Sequence, residues 1–364
     1  MTTDLIPSLA PAEFTPETVY LNTASMGLLP GRTRAALGAD LAEWAAGRCD
    51  PVGYDVPVGA ARASFARLVG TVPERVAIGG QVSALVGLVA AALPGGAEVL
   101  LAEGEFTSLT QPFRSRDDLV VRTVPLERLA EAVGPATALV AVSVVQSADG
   151  RVTDLAALRA ATAVHGARLL ADATQSAGWL PVRADNADFL VCAPYKWLLS
   201  PRGTSFLAVG PEAAATLRPL APGWYAGEDP WANCYDSVGF AASARRFDTS
   251  PAWSPFVGAA ASLALVEELT PERIGAHNLA LADRFRDGLA ALGHAATPGR
   301  TSAIVSVPGL GTAAAELAKA EVVVSNRAGN LRVSFHLYNT SADADRVLDV
   351  LSSLNPQAAE ARWP

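Results

Sequence analysis

The chain has 364 residues, of which half are hydrophobic and 18% are charged, a composition that favours one large or two medium folded domains and excludes a disordered polypeptide. Its formal net charge of −8 argues against nucleic acid or an anionic membrane surface as a partner. Three widely spaced cysteines exclude a disulfide framework and fit a reducing compartment, and four scattered histidines without ligand spacing predict no metal site.

The N-terminal sequence MTTDLIPSLAP lacks the basic start and the apolar core of a signal peptide. The longest uncharged apolar block, 82–93, is too short to span a bilayer. We therefore expect a cytoplasmic protein without a membrane partner.

Short apolar runs alternate with helical patterns between residues 75 and 210. Asp154 is placed to cap the start of one helix and Gly166 to close it. This rhythm predicts a mostly parallel sheet covered by helices, which binds ligands at the carboxyl ends of its strands. The candidate strands span 98–102, 119–124, 138–145, 167–172, 188–193 and 204–210.

Residues 211–256 lose this periodicity and read as a long ordered loop, followed by a helix over 256–269. That helix leads to a second domain with strands near 303–307 and 330–335 and a final amphipathic helix over 341–354. The apolar residues expected to share one face of the final helix are Val347, Leu348, Leu351 and Leu354.

One lysine interrupts an apolar stretch that otherwise reads as a buried strand. In DFLVCAPYKWLLSP, Lys196 is the one group expected to be charged between residues 189 and 201. Burying an ammonium ion is expensive unless its pKa falls or it finds a partner. Lys196 therefore either extends out of the strand end or serves as a desolvated, nucleophilic amine.

Two polar residues follow the preceding strand. Asp172 closes the run RLLAD, Gln175 comes three residues later, and Lys196 ends the next strand. Since parallel strands end at one edge of a sheet, the three side chains are expected to converge. An aspartate alone at such a position would equally suit a helix cap.

A charge-free helix opens near Gln81 to Ser83, after a Gly-Gly turn. Free backbone N–H groups and the helix dipole suit such a start to a phosphate. The GxxxxGK[ST] pattern of a nucleotide P-loop is missing, so a plain buried helix is the alternative.

The order and spacing of these residues resemble the class V aminotransferases, which are fold-type I pyridoxal-phosphate enzymes and include cysteine desulfurases, kynureninase and isopenicillin N epimerase. The similar blocks are 19–30, 143–182 and 330–351. The resemblance implies an α/β fold, with a mostly parallel central sheet, helices on both faces and a smaller C-terminal α+β domain. It further implies an N-terminal arm (1–18), a large cofactor-binding domain (19–250) and a small domain (251–364).

The resemblance also implies pyridoxal 5′-phosphate as cofactor, an amino acid as substrate and a homodimer with active sites at the interface. Lys196 would bind the cofactor aldehyde, and Asp172 would pair with the pyridinium nitrogen. Gln175 would donate to the phenolic oxygen. Arg332 would grip the substrate α-carboxylate, although an arginine on a strand is also compatible with a solvent-exposed position.

Further positions follow from the same resemblance. Val82, Ser83 and Tyr195 would hold the phosphate, and Phe106 would cover the cofactor ring. Ser250 is near the position that reaches the phosphate of the neighbouring subunit, and Asn22 and Ala24 would line the substrate site.

Departures from the family pattern bear on the reaction. The segment 322–334 carries no cysteine, which argues against the persulfide chemistry of cysteine desulfurases. We expect β-elimination of the C–S lyase type or transamination, with epimerisation or kynureninase-like hydrolysis as alternatives. The aromatic segment 223–240 would line a pocket for a bulky side chain or pack at a dimer interface.

Two rival hypotheses remain. The strand followed by GxGxxA within 303–317 suggests a dinucleotide site, but the next strand ends without the required acidic residue. A degenerate cofactor-binding protein without turnover is opposed by the presence of Lys196, Asp172 and Arg332 together.

Overall fold

The computed structural model describes residues 5–232, 234–235, 239–299 and 301–354. In chain order its strands are β1 (Val19–Tyr20), β2 (Val76–Gly79), β3 (Glu98–Ala102), β4 (Val120–Val124), β5 (Thr137–Ser143), β6 (Arg168–Asp172), β7 (Phe189–Cys192), β8 (Ser205–Val209), β9 (Ile304–Val307), β10 (Val322–Val323), β11 (Ser325–Arg327) and β12 (Asn330–Ser334). Its helices are α1 (Gly31–Ala45), α2 (Asp55–Leu68), α3 (Val82–Ala92), α4 (Thr107–Arg114), α5 (Leu155–His165), α6 (Pro211–Thr216), α7 (Trp253–Leu269), α8 (Pro271–Ala291), α9 (Ala313–Lys319) and α10 (Ser341–Leu354).

A seven-stranded sheet in the order β2-β8-β7-β6-β5-β3-β4 forms the centre of the fold. From β7 to β4 the neighbouring strands run parallel, and β8 pairs antiparallel with both of its neighbours. The expected mostly parallel sheet is confirmed, and all six expected strands are present with ends shifted by two residues at most. Because β6 and β7 are parallel, they deliver Asp172 and the segment leading to Lys196 to the same edge.

The helix between β5 and β6 shows why the local sequence folds as expected. The Asp154 carboxylate accepts a hydrogen bond of 3.0 Å from the backbone N–H of Ala157, and so caps the first turn of α5. Gly166 ends the helix with a φ of 68°, a left-handed conformation that glycine adopts without steric cost.

A smaller three-stranded antiparallel sheet in the order β11-β12-β9 lies in the C-terminal part of the chain. Helices α8 and α10 pack on each other and on its core. On α10, Val347 and Leu351 are buried and Leu348 is half-buried, as expected. Leu354 lies in the last turn of α10, where it is 45% exposed.

The segment expected as one loop over 211–256 contains α6, and α7 begins at Trp253, three residues earlier than expected. Helix α7 packs on α1 and α2 and contributes Phe256 and Leu263 to the core beneath the central sheet. The division of the chain at residue 250 stays a prediction.

The aromatic segment 223–240 is tied to the start of α2. Trp224 contacts Tyr225 and Trp231, with ring centroids 5.2 and 4.8 Å apart. The Tyr225 hydroxyl and the Trp231 indole N–H both donate to the carboxylate of Asp55 over 2.7 Å. Residues 233 and 236–238 of this segment lie outside the described residues.

Two two-pronged Asp–Arg pairs allow a matched test of the buried one. Asp248 accepts from Arg62 over 2.6 and 3.2 Å with both side chains buried, whereas Asp345 accepts from Arg284 over 2.8 Å twice at the surface. We expect Asp248→Ala to lower the free energy of unfolding by about 3–5 kcal/mol, because Arg62 stays buried without its counter-charge.

Asp345→Ala is the control and should cost about 0–1 kcal/mol, as exposed pairs do. Urea unfolding followed by tryptophan fluorescence measures both. Equal losses from the two substitutions would contradict a role for the Arg62–Asp248 pair in holding residues 248–252 against β2.

Candidate active site

Lys196 lies in the loop after β7, and its side chain is only 5% exposed. The loop is held by close packing. Gly27 donates its N–H to the carbonyl of Tyr195 over 3.0 Å, and a Cβ on Gly27 would stand 2.1 Å from the carbonyl oxygen of Lys196. Leu199 has a φ of 57°, a strained conformation for a residue with a side chain. The packing therefore imposes the burial of the amine.

Asp172 is the last residue of β6 and is also 5% exposed. Its carboxylate accepts a 2.8 Å hydrogen bond from the backbone N–H of Thr174. Among the described residues, neither Asp172 nor Lys196 has an oppositely charged group within 4.0 Å. A buried anion and a buried cation thus share one sheet edge without forming an ion pair.

The surroundings shift both pKa values towards neutrality. Burial lowers the pKa of Lys196 to about 8, an effect that the nearby Asp172 opposes and that Arg332 and Arg327 strengthen. Burial raises the pKa of Asp172 to about 6, against the hydrogen bonds from Thr174. Lys196 can therefore hold or release a proton near physiological pH, as a catalytic base must.

Gln175 is buried, and contacts at both ends fix its amide. The Nε2 group donates to the carbonyl of Ala24 and to the hydroxyl of Ser147 over 2.9 Å each, while Oε1 accepts from the Trp197 indole over 2.7 Å. Both amide hydrogens have partners, so the expected donation to a phenolic oxygen stays a prediction that requires one bond to exchange. Ala24 enters the site through its backbone carbonyl.

Arg332, on β12, is 1% exposed and has no carboxylate partner within 4.0 Å among the described residues. Its guanidinium donates to the hydroxyl of Ser325 over 3.1 Å, to that of Ser25 over 2.8 Å and to the carbonyl of Ser147. Burial lowers the pKa of Arg332 to about 9, helped by Arg327, and the group stays charged at neutral pH. Such a cation is suited to an external anion.

A cleft lies at this edge of the sheet, with about 620 Å³ of empty space that includes volume open to solvent. Its wall contains, from the predicted set, Val82, Phe106, Asp172, Gln175, Tyr195 and Lys196. Five other predicted residues are not in the wall: Asn22, Ser83, Ala24, Ser250 and Arg332. Arg332 and Ala24 still reach the wall indirectly, through their bonds to Ser147 and Gln175.

The remaining predicted residues have separate positions. Ser83 is the second residue of α3, whose start has no side-chain cap, so its N–H groups are available to an anion. The side-chain oxygen of Asn22 is buried without a hydrogen-bond partner among the described residues. Ser250 is exposed, and its expected reach to a neighbouring subunit stays a prediction.

Phe106 is 46% exposed and covers the cleft, with its ring centroid 5.3 Å from Nζ of Lys196. The neighbouring Glu105, which the sequence analysis did not single out, is buried and has no cation within 4.0 Å among the described residues. Its carboxylate accepts from the N–H of Phe106, the N–H and hydroxyl of Ser143 and the amide of Gln146 over 2.6–3.0 Å. Glu105 therefore ties the loop that carries Phe106 to the end of β5.

Two further features of the sequence point to this site. Lys196 is one of only two lysines in the chain, the other being Lys319, so the rest of the basic residues are arginines. Arg202 follows Lys196 closely and lines the cleft, with its guanidinium 5.0 Å from the ring centroid of Tyr195.

Comparison with known proteins decides the family. The family model described as aminotransferase class-V matches residues 117–347. The chain is 30% identical to isopenicillin N epimerase from Streptomyces clavuligerus, over 93% of this chain and 95% of that protein. It is also 30% identical to the uncharacterized aminotransferase YcbU from Bacillus subtilis (strain 168), over 80% of this chain and 82% of that protein. The chain belongs to the class-V aminotransferase family.

The fold agrees with this membership. The apo structure of a cysteine desulfurase from Thermococcus onnurineus NA1 matches with a TM-score of 0.83 at 22% identity, over 94% of this chain and 95% of that one. The expected fold-type I architecture is thereby confirmed, and the chain is a pyridoxal-phosphate-dependent enzyme of the class-V family.

The residues present fit this cofactor. A pyridine nitrogen requires a buried carboxylate, which Asp172 supplies, and an aldehyde requires a free amine, which Lys196 supplies. The uncapped start of α3 beside Gly80 and Val82 offers N–H groups to a phosphate. Within the described ranges, no cluster of side chains suits a metal ion and no helix is long and apolar enough to cross a membrane.

The contact of Gly27 with the lysine loop can be tested directly. We expect Gly27→Ala to displace the backbone at Lys196, because a Cβ cannot stand 2.1 Å from a carbonyl oxygen. The variant should bind pyridoxal phosphate at least about tenfold more weakly, since a misplaced amine forfeits more than about 1.4 kcal/mol of binding.

Gly38→Ala is the matched control, because a Cβ on Gly38 in α1 meets nothing within 4 Å. Cofactor affinity is measured by absorbance titration of the apo-protein. Unchanged affinity in Gly27→Ala would show that the loop moves without consequence for the amine.

Proposed function

We propose that this enzyme acts on the α-amino group of an amino acid or amino-acid conjugate, by β-elimination of the C–S lyase type or by transamination. The observation that carries the proposal is the presence of an amine and a guanidinium at one site. Lys196 offers a desolvated amine in the cleft wall, and Arg332 offers a buried guanidinium that has no carboxylate partner among the described residues and donates to the wall residue Ser147. An amine-activating group and an anion-binding group together suit an α-amino acid.

The cofactor, when bound, supplies an electron sink that stabilises negative charge at the substrate α-carbon. The carboxylate of Asp172, which is buried at the end of β6, would pair with the pyridinium nitrogen and so support this role. Val82 and Ser83 at the start of α3 would hold the phosphate, with the Tyr195 hydroxyl added from the loop after β7.

Lys196 is the group that we assign to the α-proton. With a pKa of about 8, roughly a tenth of the amine is free at pH 7, far more than for an ordinary lysine, and the protonated form can return the proton. Phe106 lines the cleft but has no titratable group, so it cannot act as a second acid or base. Lys196 is therefore the amine in the wall whose lowered pKa suits this proton transfer.

The fate of the substrate after proton removal separates the candidate reactions. Elimination breaks the bond between Cβ and its substituent, and an apolar ring above a cleft of this size suits a large leaving group. Persulfide formation is disfavoured: Cys192 is buried on β7, where burial raises the pKa of its thiol well above the usual range, and segment 322–334 has no cysteine.

Epimerisation is the second candidate, and the 30% identity to isopenicillin N epimerase over 93% of the chain favours it. It needs reprotonation of Cα from the opposite face. Tyr195 is a hydroxyl-bearing side chain in the cleft wall, with its ring centroid 5.7 Å from Nζ of Lys196.

We also propose a cytoplasmic homodimer in which Ser250 serves the partner's phosphate site. Support comes from the exposed position of Ser250 outside the cleft of its own chain. The dinucleotide hypothesis is disfavoured. The backbone N–H of Gly311, in the GxGxxA segment, donates to the carbonyl of Gly329 over 2.9 Å and is therefore not free to bind a phosphate.

The two lysines make the covalent assignment simple to test. After borohydride reduction of the holoenzyme, we expect the pyridoxyl label on Lys196, which blocks digestion by a lysine-specific protease after residue 196. Lys319 is the internal control: it is exposed on α9 and should be cut normally. Label on Lys319 alone would overturn the assignment of Lys196.

The reaction and the role of Arg332 are tested together. Arg332→Lys keeps the charge but loses the planar two-bond fork, so KM for amino acids should rise about tenfold to a hundredfold, because a charge-assisted bond contributes about 1.5–3 kcal/mol. Amines that lack the carboxylate should be little affected. Equal impairment with acids and amines would assign Arg332 a structural role.

The same assays distinguish the three reactions. Elimination yields ammonia and a keto acid, transamination converts the cofactor to pyridoxamine phosphate, and epimerisation in D₂O exchanges the α-hydrogen without consuming the amino acid. We expect elimination or transamination. Exchange alone would support the epimerase candidate.

A further inference from the structure

A second arginine stands beside Arg332 on the same face of a β-hairpin. Strands β11 and β12 pair antiparallel, with Ser325 opposite Arg332 and Arg327 opposite Asn330. Cross-strand partners share a face, and residues two apart along a strand do so as well. Arg327 and Arg332 therefore project from one side of the hairpin.

Both guanidinium groups converge on one hydroxyl. The Oγ atom of Ser25 accepts from Nη2 of Arg332 over 2.8 Å and from Nη2 of Arg327 over 3.0 Å. Two nitrogen atoms bound to one oxygen are at most about 6 Å apart, a distance at which two like charges repel each other appreciably. Arg327 contributes to lowering the pKa of both Arg332 and Lys196, after the larger effect of burial, so its charge is felt in the cleft.

Nothing in the described part of the chain neutralises this pair. Neither guanidinium has a carboxylate within 4.0 Å there, and the other bond of Arg327 goes to the carbonyl of its neighbour Asn326 over 3.1 Å. Arg332 is buried, whereas Arg327 is exposed. The shared Ser25 hydroxyl thus links a buried cation to an exposed one.

The position of Arg327 is fixed at a conformational cost. The two-residue turn that joins β11 to β12 places Ala328 at a φ of 50° and Gly329 at 81°. The left-handed conformation is unfavourable for alanine, and such strain is retained where the surroundings hold the backbone in place. Here the holding contacts are the N–H of Gly311 to the carbonyl of Gly329 over 2.9 Å and the side chain of Asn326 to the N–H of Gly329 over 3.1 Å.

We propose that Arg327 and Ser25 form a second anion subsite next to Arg332, and that the substrate is an amino acid with a second anionic group, a carboxylate, on its side chain. The α-carboxylate would bind Arg332, and the side-chain carboxylate would bind Arg327 and the hydroxyl of Ser25. The glycines of the GxGxxA segment then have a structural purpose, which is to hold the tip of the hairpin that carries Arg327. This proposal rests on the proposed action on amino acids.

Isosteric amino-acid pairs test the subsite. L-glutamate and L-glutamine have side chains of the same size and shape and differ in charge, as do L-aspartate and L-asparagine. Binding to the holoenzyme is followed by the change in cofactor absorbance. We expect the acidic member of at least one pair to bind about tenfold or more tightly than its neutral isostere, as a charge-assisted contact predicts.

Arg327→Gln should remove that preference by weakening the acidic member about tenfold or more while leaving the neutral isostere within about twofold. Arg128→Gln is the control for the loss of one positive charge, since Arg128 is 74% exposed outside the site. A second variant, Gly311→Ala, would place a Cβ 2.6 Å from the backbone of Gly329 and should reduce the same preference by moving the hairpin tip.

Failure of this proposal differs from failure of the proposed function. If acidic and neutral members bind alike, or if Arg327→Gln weakens both equally, the second subsite is overturned while action on amino acids stands. If no amino acid changes the cofactor spectrum at all, the proposed function itself is wrong.

Discussion

The structure depends on burying one carboxylate and one amine at the same sheet edge without a direct ion pair between them. Burial raises the pKa of Asp172 to about 6 and lowers the pKa of Lys196 to about 8, so burial favours the neutral form of each. A direct ion pair would restore both ordinary pKa values. In the part of the chain that the structure describes, no such pair forms within 4.0 Å.

Rigid packing around the lysine maintains this arrangement. Gly27 and the left-handed Leu199 hold the loop after β7, and Glu105 holds the opposite rim by accepting four hydrogen bonds. These four donors satisfy the hydrogen-bonding capacity of the buried carboxylate. Glu105 therefore places Phe106 over the cleft and adds to the raised pKa of Asp172, mainly caused by burial.

The sequence predicts the features that one segment encodes and misses those that need two. The strands of the central sheet are visible because they are apolar on both faces, and Lys196 is visible because it is charged within such a run. The hairpin register that sets Arg327 beside Arg332, and the contact of Glu105 with Ser143, join separate segments. Helical periodicity assigns Leu354 to the apolar face of α10 but does not predict its 45% exposure, because periodicity does not tell where a core ends.

The site has a cluster of positively charged side chains, whereas the whole chain has a net negative charge. The formal net charge is −8, yet Arg332 and Arg327 stand beside the buried amine with no acid near them in the described residues. A negative surface repels anions in bulk, while a local cluster of cations attracts them at short range, where screening by salt is incomplete. A ligand with two anionic groups would bind both guanidinium groups, whereas an amine without an anionic group would bind neither. The proposed subsite would therefore select substrates by charge before any contact with the cofactor is made.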